Sequence, residues 1–144
     1  MNRTIKFRGK RLDNGEWVYG ELCTPRLFDS KRGYFGEDVP CIFCDEGNVP
    51  IIPATVGQFT GLLDKNGKEI YEGDIITVNG QYPRVVLWDK MCWALMPTEY
   101  YHDKMFWVMN LQHPGPDWWD LFSNEFEVIG NIYDNPELLK GGDE

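Results

Sequence analysis

The sequence predicts a mainly β protein, a small antiparallel barrel or roll with only short pieces of helix. Three observations carry that expectation. Short runs rich in β-branched and aromatic residues recur at close spacing, each bounded by Gly, Pro, Asn or Asp. Of the three Asn-Gly dipeptides, Asn14-Gly15 and Asn79-Gly80 stand between such runs, as two-residue hairpins require. No amphipathic stretch at helical spacing extends beyond a turn or two. Six or more short strands joined this way favour a sheet that curls on itself.

The first strand is read from Thr4-Ile5-Lys6-Phe7-Arg8, where Ile5 and Phe7 alternate with Lys6 and Arg8. A type I′ turn at Asn14-Gly15 then places Leu12 opposite Trp17, Phe7 opposite Leu22, and Arg8 opposite Glu21, so that the acidic residue partly neutralises the basic strand face. From Pro25 to Pro53 the chain collects Gly and Pro, with short β-like runs at Cys41-Ile42-Phe43-Cys44 and Val49 to Ile52; it reads as a long, loop-rich excursion. A further strand is expected over Thr55 to Phe59. In Asp64-Lys65-Asn66-Gly67 the aspartate can accept local backbone N–H groups while Gly67 takes the left-handed position. Gly73 turns the chain into Asp74-Ile75-Ile76-Thr77-Val78, and Asn79-Gly80 gives the second hairpin. Pro83 shortens the pairing that follows. Arg84 to Trp88, Cys92 to Met96, Met105 to Leu111 and Phe126 to Tyr133 complete the strands. Helix is limited to short pieces near Asp117 to Phe122 and at Pro136 to Leu139, with Asn135 placed to cap the latter. The expected organisation is an N-terminal hairpin and loop-rich segment over residues 1–69, packed on a β-roll over residues 70–144.

Composition narrows the function classes. The 144 residues include 21 aromatics and are 42 % apolar, enough for a real core. The longest apolar run is Met91 to Met96, and the charged N-terminus lacks a signal peptide's apolar block, so neither a membrane span nor ordinary secretion is expected. The net charge of -9 is uneven: residues 1–34 hold 8 basic and 4 acidic side chains, residues 35–144 hold 6 and 19. An anion of this size is repelled by nucleic acid unless its basic positions are segregated, so nucleic acid is not an expected partner.

Three blocks of the sequence resemble the YopX family of small phage and prophage proteins. They are Ile5-Lys6-Phe7-Arg8 through Trp17-Val18-Tyr19-Gly20, Thr55-Val56-Gly57-Gln58-Phe59-Thr60-Gly61-Leu62 through Gly73-Asp74-Ile75, and Glu127-Val128-Ile129-Gly130-Asn131-Ile132-Tyr133 with Asn135-Pro136-Glu137-Leu138-Leu139. The resemblance implies an SH3-like roll built mainly from residues 70 to 134, an origin in phage or prophage DNA, and a bacterial cytoplasm. It brings no catalytic residues.

The candidate chemistry is sparse. Cys41 and Cys44 form the one Cys-x-x-Cys, which could hold half of a zinc site, but no second pair follows and buried structural cysteine is the stronger reading. Two histidines, His102 and His113, and no Gly-x-Ser-x-Gly, phosphate loop or His-Glu-x-x-His leave an enzyme unsupported, and no cofactor is expected. Gly61, Asp64, Asn66, Gly67, Gly73 and Asp74 read as a structural turn motif. The aromatic surplus is more suggestive. Trp88 and Trp107 are expected in the core, whereas Tyr100, Tyr101, Trp118 and Trp119 lie in loop-like sequence suited to anchoring a partner. The expected function is a non-enzymatic accessory protein that binds itself and a host or phage protein. One alternative is capture of a small anionic or nucleotide-like ligand, with Arg8 and Arg11 as candidate contacts; another is an acidic mimic of DNA.

Overall fold

In the computed structural model, which describes residues 5–24, 28–29, 34–35, 40–89, 92–102, 111–112 and 125–139, the strands pair antiparallel. The chain divides into two compact units, residues 1–59 and 60–144.

The first unit contains β1 (Phe7–Lys10), β2 (Trp17–Cys23), the two-residue pair β3 (Phe28–Asp29) and β4 (Tyr34–Phe35), β5 (Cys41–Cys44), β6 (Gly47–Pro50) and the start of β7 (Gly57–Leu63). Its sheet runs in the order β6-β5-β2-β1-β7. The loop-rich excursion therefore contains a true hairpin, β5 and β6, paired to β2. Ile42, Val49 and Ile51 are buried. Gly20 is required at its position because a β-carbon there would fall on the Phe43 carbonyl of the neighbouring strand.

The Asn14-Gly15 turn corrects one expectation. Only Gly15 takes a positive φ, and Asn14 instead accepts the Glu16 N–H with its side chain at 2.9 Å. The turn closes between Arg11 and Glu16, with Arg11 N–H donating to Glu16 O at 2.8 Å and Gly15 N–H donating to Arg11 O at 2.9 Å. This longer loop moves the register by two, so Arg8 stands opposite Tyr19, not Glu21, and Phe7 opposite Gly20. A shift of two leaves each residue on its expected face but changes its cross-strand partner. Asn79-Gly80 behaves as a type I′ hairpin should: the two residues have φ of 52° and 77°, between the paired Val78 and Gln81.

The second unit holds the end of β7 with β8 (Glu69–Tyr71), and an open four-stranded sheet of β9 (Asp74–Val78), β10 (Gln81–Asp89), β11 (Cys92–Pro97) and β12 (Phe126–Asn131) in the order β11-β10-β9-β12. The expected barrel is not closed. Each edge strand of this sheet has local partners among the described residues: Leu95 of β11 forms a β-bridge with Gln112 through two backbone hydrogen bonds, and Asp64 and Lys65 bond to β12. The consecutive apolar pairs Ile75-Ile76 and Val85-Val86 and the run Ala94-Leu95-Met96 are explained by a sheet covered on both faces. Ile76, Val86, Leu95, Ile70 and Phe126 form one core, and Ile75, Val85, Met96 and Leu139 form another. Trp88 does not fill the core as expected. It is 39 % exposed beside the last pair of the β10–β11 ladder, Asp89 with Cys92, and edge-on to Trp93. The Met105 to Leu111 strand is outside the described residues apart from its last position, as are Trp107 and the helical turn expected near Asp117. A single-turn 3-10 helix covers Pro136–Leu138, but the Asn135 side chain does not cap it; its Oδ1 accepts the Asn131 N–H at 3.2 Å.

Candidate functional site

The family-like blocks carry turns. Asp64, 5 % exposed, accepts three backbone N–H groups, from Asn66 at 2.8 Å, Lys68 at 2.9 Å and Val128 at 3.0 Å. Burial pushes its carboxyl pKa upward, but the three donors outweigh it and hold the pKa below the ordinary value. Gly61, Gly67 and Gly73 all have positive φ, and buried Asp74 accepts the Tyr71 N–H at 2.7 Å. Asn66, exposed, contributes its backbone N–H to this network. Asn131 closes the last block by accepting the N–H groups of Tyr133 and Asp134 at 2.9 and 2.8 Å. These residues hold chain crossings together and leave few polar atoms for a ligand.

The Cys-x-x-Cys pair lies on one strand, and residues three apart on a strand point to opposite faces. Cys41 is buried and Cys44 half-buried. Among the described residues no group of three or more His, Cys, Asp and Glu side chains is placed to hold a metal ion.

The basic candidates of the first unit are engaged locally. Arg8 is buried, 4 % exposed, with its guanidinium 4.5 Å from the centre of the Trp17 ring, and Lys10 lies over the same ring at 5.5 Å. Arg11 binds Asp13 through Nε at 2.9 Å and Glu46 through Nη1 at 2.6 Å. Those two carboxylates raise its pKa further above its ordinary value.

A groove in the second unit has a different character. It encloses about 480 Å³ between Tyr82, Pro83 and Arg84 on one side and Thr98, Glu99 and Tyr100 on the other, with Gln112 at its end. Its shape follows from a break in β10. Pro83 cannot donate to the ladder, and the pairing with β9 shifts between Gln81 and Arg84. In that bulge Tyr82 adopts φ of 57°, a rare conformation for a bulky side chain, and is 64 % exposed. Arg84 sits opposite Pro97. Its Nε donates to Gln112 Oε1 at 2.7 Å and its Nη1 to the Tyr82 carbonyl at 2.8 Å, and the guanidinium lies 5.5 Å from the Tyr82 ring. Among the described residues no carboxylate is within ion-pair distance of Arg84. Burial lowers the Arg84 pKa from its ordinary value, yet an arginine starting so high stays charged.

Of the aromatic candidates, Tyr100 lines this groove. Tyr101 packs against the second core with His102 edge-on at 5.4 Å, and burial raises its phenol pKa. Trp118 and Trp119 lie outside the described residues. Sequence reasoning missed Tyr82, Arg84, Thr98 and Gln112. A usable signal was present: Pro83, three residues past the Asn79-Gly80 hairpin turn, points to a bulge or an edge, and bulges re-aim side chains.

Comparison with known proteins bears on the whole chain. The family model described as YopX protein matches residues 6–140. No curated protein matches. The crystal structure of protein EF1440 from Enterococcus faecalis is similar with a TM-score of 0.51 and 22 % sequence identity, over 96 % of this chain and 100 % of that one. At that identity the likeness concerns the fold, a mainly β arrangement of antiparallel sheets. Among the described residues no helix is long and apolar enough to cross a membrane.

Proposed function

We propose that this chain, which belongs to the YopX family, is a non-catalytic accessory protein that binds an acidic segment of a partner protein in the Tyr82–Arg84–Tyr100 groove. The observation that carries the reading is the strained, exposed Tyr82 beside a guanidinium whose Nε and Nη1 are fixed by Gln112 and the Tyr82 carbonyl. Backbone strain of this kind costs stability and is retained where it positions a functional side chain. Tyrosine and arginine are also the residue types that anchor protein interfaces, and a guanidinium matches a carboxylate in shape and charge. Glu99 on the opposite wall then sets orientation by repelling the partner's other acidic groups.

On this reading the second unit is an opened SH3-like roll whose irregular β10 end is the recognition edge. The partner is a host or phage protein in the bacterial cytoplasm, or a second copy of this acidic chain. A titration followed by backbone NMR tests it, using acetylated hexapeptides with one central Glu between apolar residues and their Gln counterparts. Shifts at Tyr82, Arg84, Tyr100 and Gln112 with the Glu peptides, weakened at least tenfold by Arg84→Ala, support the reading. Equal binding of Glu and Gln peptides, or no shift at those residues, overturns it.

A small anionic ligand is the second reading, favoured by a groove volume inside the roughly 300–1,000 Å³ usual for small-molecule sites. It predicts a retained mass in a native mass spectrum of protein purified from its own host.

A further inference from the structure

The first unit contains a pair of thiols that the binding groove does not use. The β2·β5 register sets Cys23 directly opposite Cys41. Opposed residues of an antiparallel pair have Cα atoms roughly 4.5–5.5 Å apart, within the range of about 4.4–6.8 Å spanned by disulfides. Opposed residues also project from the same face. The Cys23 sulfur lies 3.6 Å from the Cys41 carbonyl oxygen and 3.4 Å from Asn48 Oδ1, so it is held over the neighbouring strands. The two thiols differ in access: Cys23 is half-buried and Cys41 only 1 % exposed. The Cys-x-x-Cys spacing drew attention to the wrong partner, since Cys44 projects from the opposite face of β5.

We propose that Cys23 and Cys41 form an oxidation-responsive cross-strand disulfide when the chain meets a small-molecule disulfide such as oxidised glutathione. The accessible Cys23 thiolate attacks one sulfur of the oxidant, forming a mixed disulfide and expelling one glutathione thiolate. The Cys41 thiolate then attacks the Cys23 sulfur and expels the second. Two protein thiols become one disulfide, one glutathione disulfide becomes two glutathione thiols, and the two protons move from the cysteines to the glutathiones. Burial and then the neighbouring Cys23 charge raise the Cys41 pKa. Capping Cys23 as a mixed disulfide removes that charge, so the second step is eased by the first. The bond ties β2 to β5 where the chain leaves one strand and re-enters the other, and it lies on the face that also presents Tyr19, Glu21 and Phe43. In a reducing compartment such a bond is transient and reports oxidation.

The test uses the full chain with all four cysteines, and a Cys44→Ser/Cys92→Ser double variant that retains only Cys23 and Cys41. Each is incubated with oxidised glutathione, alkylated, digested without reduction and mapped by mass spectrometry. The expected result is a Cys23–Cys41 linked peptide in both proteins and protection of both thiols from alkylation, with an alkylated Cys41 and no linked peptide when Cys23→Ser is added to the double variant. Stable glutathione adducts on Cys23 without closure, linkage of Cys23 to another cysteine, or unmodified Cys23 and Cys41 would each overturn the proposal.

Discussion

Asp64 Oδ2 accepts the Val128 N–H at 3.0 Å, while Oδ1 of the same carboxylate accepts Asn66 and Lys68 N–H within its own turn. One buried side chain thus serves as turn former and as staple to the edge of β12, assisted by Lys65 N–H donating to Phe126 O at 2.8 Å. Removing the carboxylate leaves three backbone donors to find water or go unsatisfied. Asp64→Ala is expected to lower stability by about 2–4 kcal/mol, and Asp64→Asn, which keeps an acceptor but not the charge, by about half as much. Urea titration followed by tryptophan fluorescence checks both. A loss within about 0.5 kcal/mol in Asp64→Ala would show that the staple is dispensable.

The same carboxylate makes a pH prediction with a definite sign. Its folded pKa is lowered, so the unfolded chain takes up the proton first as pH falls. The stabilisation is fully present above the unfolded value of about 3.9 and is lost as pH falls through the lower, folded one. Measured between pH 6 and 2.5, the midpoint of urea unfolding should fall less steeply for Asp64→Asn than for the native chain. Parallel curves would remove Asp64 from the acid transition.

Tyr82 separates stability from binding. A tyrosine at φ of 57° occupies a region that costs an L-residue roughly 1–2 kcal/mol, whereas glycine enters it freely. Because the ring is largely exposed, little packing is lost on removal. Tyr82→Gly is therefore expected to leave stability unchanged or raise it by up to about 1 kcal/mol, after allowing for glycine's greater unfolded-state freedom. It should at the same time weaken any ligand of the Arg84 groove. Thermal unfolding and the peptide titration, run on one preparation, check the two halves together.

Two glycines in the first hairpin fail for different reasons. A β-carbon at Gly15 meets nothing within 4 Å, but φ of 75° makes Gly15→Ala cost about 1 kcal/mol. At Gly20 the β-carbon would overlap the Phe43 carbonyl, and only a shift of β5 away from β2 relieves it. Gly20→Ala should cost about 3 kcal/mol, at the upper end for overpacking. Amide exchange at residues 41–44 should quicken in Gly20→Ala and stay native in Gly15→Ala.

The legible parts of this fold were those where local chemistry decides. Alternation exposed β1 and the β-branched run exposed β9, and Asn79-Gly80 specified its own turn because both positions tolerate positive φ. Asn14-Gly15 carries the same dipeptide, yet the Asn14 side chain takes the Glu16 N–H and Arg11 is drawn to Asp13 and Glu46, giving a longer loop. A residue 35 positions away thus shares in a local turn, and no window of sequence shows it. The same holds for the groove. Arg84 and Gln112 meet through the pairing of Leu95 with Gln112, a contact with no local signature. Tyr100 was legible as a loop aromatic, but both it and its neighbour Tyr101 pack against the second core, a contact with no local signature.

Trp88 and Trp93 provide the last test, since apolar size alone would place both inside. Their rings meet at 4.7 Å between centroids and 72° between planes across the β10–β11 register. Trp93 packs on the core formed by Ile70, Ile76, Val86, Leu95 and Phe126, whereas Trp88 covers Trp93 from the solvent side. Trp93→Ala should therefore cost about 3 kcal/mol, in line with truncating a packed aromatic, and Trp88→Ala about 1 kcal/mol. The double variant separates ring contact from burial. If the edge-to-face geometry contributes beyond area, the two losses are non-additive by about 0.5–1.5 kcal/mol. Simple additivity would mean that Trp88 is held by neighbours other than Trp93.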